Sequence, residues 1–286
     1  MKTFPTKTLA ASLVTWHTPL AEVAKCFDML EAAGVPKVFI VDNARDHAIA
    51  AFCLGRKTAI YIPNENTGYG AAHNLALRRS LAMGTRYHLV MNTDVCFAPE
   101  AVSCLVDYLD NNRQAALAHP RILTPDGIDS FTIRRLPAPS DLLLRRFMPR
   151  FLCRQSRQRY ILAGFDHSME LDVPYVQGSF MMLRTDALKT VGLFDERFFM
   201  YPEDIDLTRR LHSAFPTMYV PSARVIHAHR AASYTSPRML WIHCVNMVRY
   251  FNKWGWLHDP DRKQTNRRLD DSIARLASTN LTLHTS

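Results

Sequence analysis

The chain has 286 residues, of which 48% are hydrophobic and 21% charged, and it carries a formal net charge of +9. That composition excludes global disorder, and the length is long for one compact domain but short for two ordinary ones. The basic balance implies an anionic partner, but no helix-turn-helix, zinc-finger or RNA-stacking pattern is present, so nucleic acid ranks last among the candidates.

The N-terminal MKTFPTKTLAASLVTW has an apolar run no longer than a strand and ends at Trp16 without a small-residue cleavage site, so Leu9 to Trp16 reads as a first strand rather than a signal peptide. Leu20 to Ala33 reads as an amphipathic helix with Val23, Phe27 and Leu30 on one stripe, stopped by Gly34 and Pro36. Lys37 to Val41, Thr58 to Ile62 and Tyr87 to Met91 read as strands, and Ala71 to Met83 as a helix. Strands separated by helices predict βαβ units and a mainly parallel sheet, whose ligands sit at the carboxyl ends of the strands. The polar residues Thr15, Asp42, Asn64 to Asn74, Asn92 and Asp94 fall at those ends. Any one of these clusters alone could be a turn.

The middle differs. Arg134 to Arg159 contains eight arginines and one acid, Asp141, interleaved with Leu142, Leu143, Leu144, Phe147, Met148, Phe151 and Leu152. An amphipathic helix on an anionic membrane and a solvated basic loop fit that pattern equally. Val173 to Leu183 follows as a strand interrupted by Gly178. Gly192 to Leu211 turns helical near Glu203, Tyr219 to His229 is extended, and Met239 to Trp254 is a basic, aromatic-rich helix before a polar helical tail beyond Pro260. No stretch reaches the ~20 apolar residues that span a bilayer, which predicts a soluble or peripherally attached protein. The six cysteines form no CxxC pair or zinc spacing and read as buried free thiols of a reducing compartment.

Three clusters carry chemistry. In YHLVMNTD a hydrophobic strand delivers Asn92 and Asp94, whose i, i+2 spacing points both side chains one way, an oxygen pair suited to Mg²⁺ or Mn²⁺. In PEDIDLTRRL, Glu203, Asp204 and Asp206 crowd one helix start. Helix capping explains one acid, and crowding raises the proton affinity of at least one carboxylate, as a general base requires. In VIHAHRAAS, His227 and His229 precede Arg230 and Ser233, groups that bind a metal or neutralise a leaving phosphate. Alternatively His227 is a satisfied, half-buried histidine.

With VTW, VDN, NENTGYGAAHN, NTD, GSFMMLR, GLFDERFFMYPEDIDLTRRL and VIHAHRAAS in this order from about Leu9 to about Trp254, the chain resembles the family 2 glycosyltransferases, in particular bacterial rhamnosyltransferase-like members that build surface polysaccharides. The segment from Gly192 to Leu211 is the most specific part. The resemblance implies an α/β GT-A fold, a Rossmann-like, mainly parallel sheet flanked by helices, with a C-terminal helical extension. Residues 1–233 would be the catalytic domain, divided into a nucleotide-sugar half (1–97) and an acceptor half (98–233), and 234–286 the extension. It further implies that Thr15 and Asp42 contact base and ribose, and that Asn66, Gly68 and Asn74 shape the nucleotide loop. Asp94 would hold Mg²⁺ or Mn²⁺ with Asn92 beside it. His227 would lie near the diphosphate, with Ser233 following. Asn92 replaces the first Asp of the family's Asp-x-Asp triplet.

The expected reaction is one in-line displacement that inverts the anomeric carbon. Asp204 is the base, Glu203 the alternative base, and Gly178 and Ser179 line the sugar pocket. Family likeness favours deoxythymidine-diphosphate rhamnose (dTDP-rhamnose) as donor. It also implies a glycan or lipid-linked saccharide acceptor and a cytoplasmic location, peripheral on the cytoplasmic face of the inner membrane. Two competing readings are a nucleotidyltransferase, for which Leu13 to Pro19 lacks a glycine-rich phosphate loop, and a non-catalytic membrane-associated nucleotide-sugar-binding protein.

Overall fold

The computed structural model describes residues 4–144, 153–228 and 237–284. Its N-terminal half alternates β1 (Leu9–Thr15), α1 (Leu20–Ala32), β2 (Val38–Asp42), α2 (His47–Leu54), β3 (Ala59–Pro63), α3 (Tyr69–Ala82) and β4 (Tyr87–Met91). β5 (Val95–Phe97), α4 (Pro99–Asn111), β6 (Leu117–Leu123), β7 (Ile133–Arg134), α5 (Arg154–Tyr160), β8 (Leu171–Asp172) and β9 (Tyr175–Val176) follow. The chain then runs through β10 (Phe180–Arg184), α6 (Thr185–Val191), α7 (Glu203–His212), β11 (Thr217–His227), α8 (Pro237–Trp254) and α9 (Pro260–His284).

Among the described residues, nine strands form one sheet in the order β3-β2-β1-β4-β10-β6-β11-β5, with β8 on the flank of β11. The first four strands are parallel, as the βαβ pattern predicts. β10 then runs antiparallel between β4 and β6, and β11 is parallel to β6. These central strands read as near-continuous apolar runs because helices cover both faces. Val23, Cys26, Phe27 and Leu30 bury one stripe of α1, and Ala101, Val102, Leu105, Val106 and Leu109 bury one stripe of α4. Each fully buried Leu, Val or Phe stabilises the fold by about 1.5–3 kcal/mol.

Two pairings position the site. β10 starts opposite the end of β4, with Phe180 across from Met91, and the Asn92 amide donates to the Ser179 carbonyl at 3.0 Å. After the Asn92–Asp94 turn the chain enters β5, which pairs with the end of β11 so that His227 lies opposite Val95. A register shift between Val220 and Arg224, a stretch that includes Pro221, lets one long strand serve both β6 and β5.

The C-terminal helices are fastened to α7. Arg209 and Asp259 form a buried two-bond ion pair at 2.8 and 2.7 Å, and the guanidinium lies 4.0 Å from the Trp254 ring centroid. Asp206, fully buried, accepts from Arg210 Nε at 2.9 Å and Trp254 Nε1 at 2.8 Å and pairs with Lys253 at 2.6 Å.

Some expectations change. Of the basic segment from Arg134, residues 145–152, which hold Phe147, Met148, Phe151 and Leu152, lie outside the described residues. Its described part contains β7, a single wide turn at Ser140–Leu144 and α5, and Pro137 and Pro139 keep helical hydrogen bonding from starting before Ser140. Arg135, mostly buried, and Arg159, exposed, both pair with Asp270 of α9. All six cysteines are free thiols, but only Cys26 and Cys53 are buried. No helix among the described residues is long and apolar enough to cross a membrane.

Candidate active site

At the carboxyl edge of the sheet, a cavity of about 360 Å³ is walled by Asn92, Asp94, Gly178, Ser179, Glu203, Asp204 and His227, with Tyr69, Gln177 and Tyr201 among the other lining residues. A second cavity of about 620 Å³ adjoins it, sharing Val14, Thr18, Tyr69 and Met200 and adding Trp16, Asn43, Asn66, Gly68 and Arg238. Residues from eight separate segments thus line the two adjoining cavities.

The parallel register places Thr15 beside Asp42, and the Thr15 hydroxyl donates to Asp42 Oδ1 at 3.0 Å. Asp42 also accepts from the amides of Ala44 and Asp46 and from the Tyr61 hydroxyl, and it is fully buried. With four donors on two oxygens, it organises the loop under the larger cavity, while its neighbour Asn43 lines that cavity. Asn66 Oδ1 accepts from the Gly68 amide at 3.3 Å. Gly68 has φ +98°, and a Cβ there would lie 2.0 Å from the Phe199 carbonyl oxygen, so only glycine fits. Asn74 lies outside both cavities. Its amide and carbonyl groups clamp the backbone of Phe194, at 2.9 Å to the Phe194 oxygen and 3.0 Å from its amide, which fixes the loop entering α7.

Asp94 Oδ1 stands 3.0 Å from His227 Nε2, and the Ala228 amide donates to the Asp94 carbonyl at 3.1 Å. Sequence separates these residues by 133 positions, and the β5–β11 pairing removes that distance. The Asn92 side-chain oxygen is engaged by the Tyr69 hydroxyl at 2.9 Å, which also hydrogen-bonds the Gly178 carbonyl at 2.8 Å. Tyr69 therefore joins the 64–68 loop, the NTD turn and the β10 entry. The sequence reading missed it, although it sits inside NENTGYGAAHN, because an aromatic at a helix start looks like core.

The three acids of PEDID divide. Glu203 and Asp204 occupy the first turn of α7 and face the cavity, while Asp206 turns to the C-terminal helices. Burial raises the proton affinity of both cavity acids, and the negative charge of Asp204 pushes Glu203 well above its ordinary value. Asp204 is the better-supported anion. Its oxygens accept the amides of Gly178 at 3.0 Å and Ile205 at 2.8 Å, and the nearby charge of Arg134 opposes the upward shift. Arg134 is itself held between the rings of Tyr160 and Tyr175, 5.8 and 5.5 Å from their centroids. Gly178 lets its backbone approach Asp204 closely, since a Cβ there would come within 3.2 Å of the Asp204 Cβ and push against it. Ser233, His229 and Arg230 lie outside the described residues.

For a divalent cation, the chain offers the Asp94 carboxylate and the His227 imidazole as an adjacent pair. No group of three or more His, Cys, Asp or Glu suited to a metal occurs among the described residues. Such a two-ligand set fits Mg²⁺ or Mn²⁺ when diphosphate oxygens and waters complete the octahedron, and does not fit a structural zinc.

Residues 20–192 match the family model for glycosyl transferase family 2. The chain is similar to N-acetylglucosaminyl-diphospho-decaprenol L-rhamnosyltransferase of Mycobacterium tuberculosis, with 33% identity over 181 residues, covering 59% of this chain and 57% of that protein. It therefore spans little more than half the length of that relative. It is also 25% identical over 224 residues to rhamnosyltransferase WbbL of Escherichia coli, covering 75% of this chain and 81% of WbbL. Among solved structures, the fold resembles GalNAc-T7 crystallised with UDP, GalNAc and Mn²⁺ (TM-score 0.60, 13% identity, 86% of this chain and 48% of that one). It also resembles S. aureus TarS 1-349 (TM-score 0.55, 14% identity, 91% and 69%).

Proposed function

Because the chain belongs to glycosyl transferase family 2, we propose that its cleft moves a sugar from a nucleoside diphosphate to an acceptor hydroxyl, with inversion at the anomeric carbon. The observation that carries this reading is the single cavity with two chemically distinct walls. One wall is the Asp94–His227 pair, suited to a cation and a diphosphate, and the other is the Glu203–Asp204 pair, suited to a hydroxyl proton.

Asp204 accepts the proton of the acceptor hydroxyl as that oxygen attacks the anomeric carbon. The bond from that carbon to the diphosphate oxygen breaks on the opposite face, and the nucleoside diphosphate departs with the bonding electrons. Mg²⁺ or Mn²⁺ held by Asp94 and His227 would offset the charge gathering on the diphosphate. Gly178 holds Asp204 in place, and Tyr69 ties Asn92 to the Gly178 carbonyl. The larger cavity, with Trp16, Asn43 and Asn66 on its wall and Thr15–Asp42 bracing the loop beneath, takes base and ribose. Ser233 is assigned to the diphosphate end on motif likeness.

The rhamnosyltransferase relatives favour dTDP-rhamnose as donor, and the name of the mycobacterial one favours a lipid-linked acceptor. A peripheral site on the cytoplasmic face of the membrane suits such an acceptor. α8 contains no acidic residue and exposes Trp241 together with Arg238 and Arg249, and Leu257 is exposed just beyond it.

The test is a thermal-shift screen of nucleotide sugars with and without Mn²⁺, followed by product analysis. Stabilisation by one donor and release of nucleoside diphosphate are expected. Release of pyrophosphate instead would replace this reading with nucleotidyl transfer. Flotation with anionic liposomes checks the membrane assignment, and absence of binding at moderate salt would remove it.

A further inference from the structure

Two polar atoms on the wall of the smaller cavity lack partners within the protein. They are Ser179 Oγ and Glu203 Oε2, on residues only 2% and 5% exposed. A buried hydroxyl or carboxyl oxygen left unpaired is costly, and both of these occur in the cleft proposed above to take the donor. They also flank the base. Ser179 follows Gly178 and Glu203 precedes Asp204, and the Gly178–Asp204 hydrogen bond joins the two segments.

We propose that Ser179 and Glu203 form a hydrogen-bonding pair for hydroxyls of the transferred sugar, with Glu203 acting as a neutral carboxylic acid rather than as a second base. This rests on the donor-site reading above and deepens it.

The pair is rigid. Ser179 begins β10, its carbonyl held by the Asn92 amide at 3.0 Å. Glu203 is fixed in the first turn of α7, beside Gly70, where an added Cβ would come within 3.3 Å of the Glu203 Cβ. The chemistry is specific to an uncharged polyol. Asp204 has two backbone amides and the Arg134 charge to support its anion, whereas Glu203 Oε2 has no donor, so a proton shared by these neighbours resides on Glu203. A protonated carboxyl and a serine hydroxyl can each donate and accept, as sugar hydroxyls do.

The experiment compares, by calorimetry with Mn²⁺ and without acceptor, a nucleoside diphosphate with its sugar conjugate. dTDP and dTDP-rhamnose come first, then the other donors of the screen. The affinity gained from the sugar is expected to fall about fivefold to tenfold in S179A and in E203A, with binding of the bare nucleotide unchanged. E203Q, a neutral isostere, should keep most of that gain and retain turnover within about tenfold, while D204N keeps the gain and loses turnover. Melting temperatures of all four variants verify folding. E203Q as inactive as D204N would overturn the neutral-acid role. An undiminished sugar contribution in S179A and E203A, with only acceptor KM raised, would overturn the donor assignment. A wild-type chain that binds none of the nucleotide sugars would instead defeat the functional reading itself, and with it this pair.

Discussion

The Gly178 amide donates to the Asp204 carboxylate at 3.0 Å, so the turn before β10 and the first turn of α7, 26 residues apart, hold one another at the floor of the cleft. That bond supports the ionised form of a carboxylate which burial alone would neutralise. Asp204→Asn keeps the shape and removes the proton acceptor. Turnover should fall about 10²–10⁴-fold with donor affinity nearly unchanged, measured by nucleoside diphosphate release and calorimetry. Gly178→Ala should also lower turnover, since its Cβ would press on Asp204 at 3.2 Å. Normal turnover in the asparagine variant would remove Asp204 from its role.

The acid pair gives a pH signature with a definite sign. As the proposed base, Asp204 must be ionised to act, so the rate should rise with pH on the acid side, through a value above the ordinary aspartate pKa of 3.8. Stability moves oppositely. Folded Glu203 keeps a proton that the unfolded chain releases near 4.5, so the folded state binds more protons above that pH, and stability falls as pH climbs toward the folded value. The slope is at most about 1.4 kcal/mol per pH unit for one proton. Urea midpoints for the wild type and Glu203→Gln check this: the substitution should flatten that part of the profile.

Two glycines at positive φ separate conformational strain from collision. Gly84, at φ +67°, has open space where a Cβ would sit, so Gly84→Ala should cost only about 1–2 kcal/mol from its left-handed backbone. Gly68→Ala adds a 2.0 Å collision with the Phe199 carbonyl and should destabilise more, while abolishing nucleotide binding. Denaturant melts of both variants make the comparison, and equal losses would contradict it.

For the cation wall, Asp94→Ala should leave the fold intact, because the side chain is partly exposed and pairs with His227 at the cavity rim. Nucleotide affinity in that variant should no longer respond to Mn²⁺. An unchanged Mn²⁺ dependence in calorimetry would place the ion elsewhere.

The C-terminal helices depend on a buried charge pair. Asp259→Ala strips the partner from Arg209, whose side chain is 5% exposed, and should cost about 3–5 kcal/mol because an uncompensated guanidinium remains. Thermal unfolding measures the loss. A shift within a degree of wild type would show that Arg209 finds solvent or another acceptor.

Much of this was legible in the residue order. The apolar runs of β1 to β4 and the helices between them follow from hydrophobic periodicity, and NTD and PEDID announce oxygen-rich turns at element ends. Local pattern fails where partners are distant. α4 and β6 went unassigned in the sequence reading, and so did α2, whose eight residues are too short for a clear period. The basic segment after Arg134 has a composition that fits a membrane helix, but two of its arginines, Arg135 and Arg159, find a partner in Asp270 of α9 that no local pattern reveals.

The sequence by itself determined the parallel half-sheet, the polar residues at its strand exits and the presence of crowded acids at one helix start, because these depend on side chains close along the chain. Only the tertiary structure decided that His227 meets Asp94, that Asp206 anchors the C-terminal helices while Glu203 and Asp204 face the cleft, and that Asp204 rather than Glu203 carries the supported charge. Those outcomes depend on strand pairing across 133 residues and on burial, amide donors and neighbouring charge. Such surroundings are set by packing, and no stretch of residues read alone contains them.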